Sequence, residues 1–187
     1  MTKLDSIGMK DKVNIIITTD HGMSSISKSK TIHLDKLIKS HWLKRKTGSN
    51  PVYMFDPEPN YFDSVLITLN KNKHIKTWRK ENIPEHLHYG KNPRVMPIVS
   101  VADIGWSLIY SDDVDDYSNF NGTHGYDPEN NEMHGIFYAT GPAFKNNYRH
   151  NTFENIHIYP LIAEILNIKS VITDGNINYV KDMLKKK

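Results

Sequence analysis

Runs of apolar, β-branched residues predict several short strands in this chain. The clearest run covers residues 13–18 (VNIIIT) and is nearly continuously apolar. Such a run is typical of a strand that is buried on both faces, as in a parallel sheet. Further strands are predicted at residues 52–55, 64–69, 95–101 and 135–139. Pro97 interrupts one of these runs, which favours an edge or bulge position for that strand.

Helical periodicity is present in three other segments. Residues 32–39 fit a short helix or turn, and residues 71–81 fit an amphipathic helix with Ile75 and Trp78 three positions apart. Residues 153–168 carry apolar side chains at helical spacing, with Pro160 suited to a first turn. Strands that alternate with helices predict an α/β fold. We see no linker, so the sequence predicts one domain over residues 1–187.

Composition and charge exclude several classes of protein. The 187 residues have a net charge of +3, with short basic clusters only, so we expect no nucleic-acid polymer as a partner. The chain has no cysteine, which excludes disulfides, thiolate metal sites and a cysteine nucleophile. No apolar stretch approaches the roughly 18 residues that a membrane span requires, so we predict no transmembrane segment. A bound metal ion would need histidine and carboxylate ligands.

Asp20 and His21 directly follow the first predicted strand, at the end where open α/β sheets place their ligands. Carboxylate oxygen and imidazole nitrogen both bind zinc. The pair can point at one ion only where the backbone turns, and Gly22 is expected to allow that turn. Taken alone, such a pair is more often an ordinary dipeptide than a pair of ligands.

His124 lies between glycines in a polar loop of sequence GTHGYD, where a core histidine is rare. It suits a metal ligand, a general base or a plain surface residue. His86 and His88 would share one face of a strand, but with no carboxylate near them in sequence they favour a surface position. His134 precedes a strand and favours a structural role. The acidic run at residues 112–116 lacks the features of an EF-hand loop and favours solvated loop.

An ordered set of motifs runs through the chain from about residue 13 to residue 166. In chain order the motifs are TDHGM at 19–23, PEHLHY at 84–89, RV and PI within 94–98, GW at 105–106, GTHGYD at 122–127, MHGIF at 133–137, GPAFK at 141–145 and FENIHIYPLIAEIL at 153–166. Any one of them could arise by chance, but their order is specific. The set resembles the ectonucleotide pyrophosphatase/phosphodiesterase family of the alkaline-phosphatase superfamily.

This resemblance implies an α/β fold, with a mostly parallel sheet flanked by helices. It also implies a hydrolase that cleaves phosphodiester or pyrophosphate bonds, of which nucleotides are the expected small-molecule substrates, with two zinc ions as cofactors. Asp20 and His21 match the pair on one zinc, and His124 matches the late histidine on the other. The reaction implied for the family proceeds through a covalent phospho-enzyme intermediate on a threonine or serine.

The chain departs from the family pattern before Asp20. The resemblance implies an earlier segment with the nucleophile and further metal ligands, and the 19 residues before Asp20 contain no such pattern. Two catalytic zinc ions need about six protein ligands, and the matched positions supply three. We therefore expect a partial catalytic domain, its C-terminal half, that is inactive alone and exposes a sheet edge and apolar faces.

Three points stay open at this stage. The chain could be a non-catalytic fragment or binding module, and the substrate could be a phospholipid-type diester such as glycerophosphocholine. Family members usually face the outside of the cell, either secreted or membrane-tethered. An extracellular location is therefore implied by the resemblance alone. This chain itself carries no signal for it.

Overall fold

The computed structural model describes residues 2–113 and 121–186. Its helices are α1 (Thr2–Ser6), α2 (Leu34–Leu37), α3 (Phe62–Asn70) and α4 (Ile158–Leu166), joined by several single turns of 3₁₀-helix. Its strands are β1 (Ile15–Thr18), β2 (Ser24–Ser25), β3 (Thr31–His33), β4 (Leu43–Ser49), β5 (Val52–Pro57), β6 (Ile75–Arg79), β7 (Ile98–Ala102), β8 (Ser107–Ile109), β9 (Gly122–Thr123) and β10 (Phe137–Thr140). The α/β class predicted from the sequence is confirmed.

The described residues fold into two compact units. The terminal unit combines the chain up to Asp20 with the chain from Gly135 onward, and the central unit comprises His21–His134. Each has its own apolar core. No helix in the described ranges is long and apolar enough to cross a bilayer.

The central unit is built on a four-stranded antiparallel sheet of order β4-β5-β7-β6. Along β5, buried residues alternate with more exposed ones, so that Tyr53 and Phe55 face the core. Helix α3 contributes Val65 and Leu69, both fully buried, to the same apolar cluster. The alternation on the strand and the four-residue spacing on the helix are the two periods by which each element buries one face.

Two short ladders complete the central unit. Strand β3 pairs with β8 in parallel, and β2 pairs with β9 in antiparallel. The resemblance implied a mostly parallel sheet. Among the described ladders the parallel pair is β3–β8, and the other pairs are antiparallel.

Two predicted elements of the central unit are reversed in type. Residues 64–69, predicted as a strand, lie within α3, and residues 71–81, predicted as a helix, contain β6. The amide of Asn70 joins the two elements, since it donates to the carbonyl of Thr77 and accepts from the backbone N–H of Thr77. In β6, Ile75 and Thr77 are buried while Lys76 between them is exposed, which is the period of a strand.

Pro97 does not place its strand at an edge. Strand β7 begins one residue after Pro97 and lies between β5 and β6. The proline therefore precedes the ladder and removes none of its hydrogen bonds.

In the terminal unit, β1 pairs in antiparallel with β10, in the register Ile15↔Thr140 to Thr18↔Phe137. Helix α4 contributes the buried Leu161, which packs with Phe144 and Val180. Pro160 lies in the first turn of α4, as predicted. The prediction that β1 is buried on both faces is wrong for this chain, because Ile17 is 51% exposed and Tyr138 opposite it is 58% exposed.

Candidate metal centre

His21 and His124 come together in the central unit. Their rings stack with centroids 3.6 Å apart and an angle of 14° between their planes. The β2–β9 ladder explains this approach, because Ser24 pairs with Thr123 and the chain continues outward from that pair to both histidines. The two residues are 103 positions apart in sequence and meet at one point in the central unit.

The buried residue Asn50 connects strand β9 to β8. Asn50 accepts from the N–H of Leu108 at 3.0 Å, and its Nδ2 donates to the hydroxyl of Ser107 at 3.1 Å. The carbonyl of Asn50 accepts from the hydroxyl of Thr123 at 3.5 Å, one residue before His124. The side chain of Asn50 thus satisfies two buried polar groups of β8, and its backbone carbonyl ties the start of the loop to the same residue.

Gly22 is required here for a different reason from the one predicted. Its φ angle is not positive, so it does not supply a left-handed turn. A Cβ on Gly22 would lie 2.1 Å from the carbonyl oxygen of Glu132, and the N–H of Gly22 donates to the carbonyl of Met133 at 2.9 Å. The residue is needed because two backbone segments touch. The left-handed turn belongs to Gly125, with φ +101, directly after His124.

The ring of His21 is oriented by the backbone. Its Nδ1 lies 2.7 Å from the carbonyl oxygen of Gly22. A carbonyl oxygen only accepts, so Nδ1 carries the hydrogen, and in the neutral ring the lone pair lies on Nε2. Metal-bound histidines are commonly oriented through such a bond on their other nitrogen. The imidazole of His21 thus has the tautomer that a ligand binding through Nε2 needs.

Asp20 lies two residues beyond the end of β1 in the terminal unit and is exposed. Its carbonyl accepts from the side-chain amide of Asn155 at 3.3 Å, which restrains the backbone just before His21. The structure thus pairs His21 with His124, and Asp20 adjoins His21 through the peptide bond. Carboxylate and imidazole donors of this kind fit zinc.

Tyr126 anchors the loop after His124. It is buried, and its hydroxyl donates to the carbonyl of Trp106 at 2.7 Å. Burial raises the pKa of this hydroxyl from 10.0 to about 12, and the negative charge of Glu132 adds to the shift. The loop is thereby fixed two residues from the proposed ligand.

This pKa predicts a loss of stability in alkali. The folded chain holds the Tyr126 proton more tightly than the unfolded chain, so the contribution is complete below pH 10.0 and declines toward about pH 12. We expect the free energy of unfolding, measured by urea denaturation, to fall across that interval. The fall should be smaller in Tyr126→Phe, and an identical fall in both proteins would contradict the assignment.

The structure contains a second cluster of possible metal ligands that the sequence did not predict. His86 was assigned to the surface because no carboxylate lay near it in sequence, yet its Nε2 is 3.2 Å from Oδ1 of Asp127. With Glu129 these residues offer three ligand atoms within 4.8 Å of one another. Their separation of 41 residues left no local signal apart from the match of both segments to motifs.

The remaining predicted histidines have simpler surroundings. His88 does not share a strand face with His86, because it follows a turn of 3₁₀-helix and has a left-handed backbone, with φ 46. His134 donates from Nε2 to the carbonyl of Pro128 at 3.1 Å, a bond that suits the structural role predicted for it. Of the acidic run at 112–116, residues 114–116 lie outside the described residues.

Comparison with known proteins decides the family. The model of the type I phosphodiesterase/nucleotide pyrophosphatase family matches residues 1–127 of this chain. The chain belongs to this family. Among its phosphodiesterase relatives, human ectonucleotide pyrophosphatase/phosphodiesterase family member 5 is 36% identical over 174 residues, which is 92% of this chain and 35% of the relative. Human bis(5'-adenosyl)-triphosphatase ENPP4 is 34% identical over 182 residues, which is 97% of this chain and 39% of the relative.

Solved phosphodiesterase structures share the fold. An inactive variant of murine ectonucleotide pyrophosphatase/phosphodiesterase 5, in complex with AMP, superposes with a TM-score of 0.87 at 35% identity. The superposition covers 98% of this chain and 48% of that structure. The human counterpart gives a TM-score of 0.85 at 34% identity. The chain thus spans less than half the length of the phosphodiesterases that it matches, and it represents part of their fold.

Proposed function

We propose that this chain is part of a two-zinc hydrolase that cleaves phosphodiester or pyrophosphate bonds of nucleotides. The observation that carries the proposal is the stacking of His21 on His124 at 3.6 Å, in a chain of the phosphodiesterase family. Ligands of two ions about 3.5–4 Å apart must themselves be close neighbours. Asp20 and His21 would hold one zinc, and His124 would hold the other.

The donor set supports zinc rather than magnesium or calcium. Imidazole nitrogen suits zinc, whereas magnesium and calcium prefer oxygen ligands throughout. When bound, two adjacent zinc ions would stabilise the negative charge that develops on the transferred phosphoryl group. The residues of this chain contribute orientation. The bond from His21 Nδ1 to Gly22 fixes one ring, and the anchors at Asn50 and Tyr126 fix the loop that carries His124.

The remaining parts of the centre would come from residues outside this chain. Asp20, His21 and His124 are three donors, and two zinc ions need about six. We infer that another part of the polypeptide supplies the other donors and the hydroxyl nucleophile. That hydroxyl would attack phosphorus, release the leaving alcohol or phosphate and form a phospho-enzyme ester, which water then hydrolyses. The 187 residues alone would be inactive.

Nucleotides are the preferred substrate class. One structural relative is in complex with AMP, and one curated relative is named as a bis(5'-adenosyl)-triphosphatase. These two relatives support a small nucleotide as the substrate. A phospholipid-type diester such as glycerophosphocholine is the alternative. We also propose that the protein acts outside the cell, as the family resemblance implies.

The test is hydrolysis by the natural full-length protein that contains this chain. With zinc present it should cleave a nitrophenyl ester of a nucleotide, and a bis(5'-adenosyl) polyphosphate, while a chelator should abolish both reactions. Cleavage of a glycerophosphocholine analogue alone would move the substrate to the phospholipid class. No hydrolysis of any of them, by a protein that melts cooperatively, would leave a non-catalytic binding module as the function.

A matched sample tests the incomplete centre. We expect the 187-residue chain by itself to show no hydrolysis above buffer under conditions in which the full-length protein is active. Zinc content measured by mass spectrometry should be at least two ions per full-length molecule. Turnover by the isolated chain at the full-length rate would show that its own residues suffice.

A further inference from the structure

The carboxylate of Asp127 is the centre of a second polar cluster in the central unit. It lies three residues after His124 and faces His86, which sits on a single turn of 3₁₀-helix, Glu85–Leu87. Glu129, two residues farther on, completes a group of three ligand atoms within 4.8 Å of one another. We propose that His86, Asp127 and Glu129 bind a divalent transition-metal ion of the zinc class, separate from the catalytic ions, that braces the loop following His124.

The distances suit such an ion. Nε2 of His86 lies 3.2 Å from Oδ1 and 3.3 Å from Oδ2 of Asp127. Two ligands at about 2.0–2.1 Å from a tetrahedral zinc are separated by roughly 3.3 Å. These two atoms are therefore already spaced as neighbours in one coordination shell. Glu129 is exposed, so its carboxylate can rotate into the third position without disturbing the core.

The loop holds its main ligand in place before any ion arrives. The side chain of Asp127 is only 16% exposed, and its Oδ1 accepts from the N–H of Glu129 at 3.0 Å. The amide of Asn130 donates to the carbonyl of Asp127 at 2.8 Å. These bonds restrict the ligand to one geometry, so little conformational entropy is left to lose when a cation binds.

The positive charge of Lys76 would oppose the binding of a metal ion at Asp127. The ammonium of Lys76 lies 4.0 Å from Oδ2 of Asp127 and would compete with a metal ion for this carboxylate. Its side chain is 55% exposed and flexible, so it can turn into solvent when an ion enters. If the cluster binds a metal ion, removal of Lys76 should strengthen that binding. If His86 and Asp127 form only an ion pair, there is no metal binding for Lys76 to affect, so an experiment can separate the two explanations.

An ion can reach the cluster from solvent. Asp127 lines an open cavity of about 320 Å³, together with Lys76, Leu87 and Asn130. A proposed metal site needs such an entry path as well as its ligands. A metal site at Asp127 is thus supported by three observations. They are the hydrogen bonds of the loop, the spacing of the ligand atoms and the access from solvent.

The test separates this site from the catalytic centre by removing one proposed ligand of each catalytic zinc. The full-length protein carrying His21→Ala and His124→Ala is titrated with Zn²⁺ by calorimetry, with Mg²⁺ as the comparison ion. We expect one site that binds Zn²⁺ and not Mg²⁺. Asp127→Asn and Glu129→Gln in that background should each weaken binding at least about tenfold, since even outer-shell partners contribute 10–100-fold.

Two controls make the result specific. Lys76→Met should tighten Zn²⁺ binding at least about fivefold, because it removes a positive charge 4.0 Å from the ligand atom Oδ2 of Asp127, and a pair of unit charges about 4 Å apart in water already corresponds to about that factor. His74→Gln removes a different histidine that also pairs with a carboxylate, Asp103, at 3.3 Å, and should leave the affinity unchanged. Absence of Zn²⁺ binding, or equal affinity in the parent and in Asp127→Asn, would overturn the proposal.

The metal count of the otherwise unaltered protein provides a second measurement if the double variant does not melt cooperatively. Mass spectrometry should then find one zinc ion fewer in Asp127→Asn than in the wild-type full-length protein. An equal zinc content would refute the site. The site does not depend on the proposed hydrolase activity, because none of its three ligands is assigned to the catalytic centre.

Discussion

His124→Ala should lower kcat/KM of the full-length protein for a nucleotide phosphodiester at least about 100-fold, because a catalytic metal contributes several kcal/mol to the transition state. His124 would be a direct ligand, and its ring stacks on that of His21. Zinc content should fall by about one ion per molecule. Steady-state kinetics and metal analysis on the same preparation would measure both effects.

The control is an exposed histidine that is not among the proposed ligands. His41 lies edge-on to Tyr61 and Trp42, and His41→Ala should leave the kinetics and the zinc content unchanged. If His124→Ala kept wild-type kcat/KM, the assignment of this residue to the second zinc would be wrong. The stacked pair would then be a structural contact of the β2–β9 ladder.

Gly22→Ala should destabilise the chain by about 3 kcal/mol, at the upper end of the cost of overpacking. The new Cβ would lie 2.1 Å from the carbonyl oxygen of Glu132 and 2.6 Å from that of His134. Both neighbours are backbone atoms, so relief requires the two segments to separate and the bond from Gly22 N–H to Met133 to lengthen. Urea denaturation would measure the loss, and zinc affinity should fall because His21 adjoins the clash.

Gly122→Ala is the matched control for this substitution. Its Cβ would meet first the sulfur of Met23 at 2.9 Å, the end of a flexible and exposed side chain. That side chain can rotate away, so we expect a loss of less than half that of Gly22→Ala. A stability of Gly22→Ala within about 0.5 kcal/mol of wild type, the range of neutral surface changes, would show that the backbone segments are not held in contact.

The errors in the predicted elements have a common physical origin. Residues 64–69 are rich in β-branched residues, but the residues that α3 buries, Val65 and Leu69, are four apart, and that spacing is helical. Residues 75–79 were assigned to a helix on the three-residue spacing of Ile75 and Trp78. The sheet instead buries Ile75 and Thr77, two apart. Short windows fit both periods, and contacts with neighbouring elements select one.

The two candidate metal centres differ in whether a short sequence pattern indicates their residues. Asp20 and His21 were found because a strand end and its motif are contiguous, and His124 because glycines flank a histidine in a polar loop. The pairing of His86 with Asp127 joins residues 41 positions apart, and the sequence contains no short pattern that connects them.

By itself the sequence determined the α/β class and the family, because these depend on motifs that are read along a contiguous chain, and on the same motifs it predicts Asp20, His21 and His124 as zinc ligands. The tertiary structure decided which of those residues meet, why Gly22 cannot bear a side chain, and that Asp127 faces His86. It also decided the identity of α3 and β6. Those features depend on which distant backbone segments approach one another, and that approach is set by burial and hydrogen bonding across the whole unit.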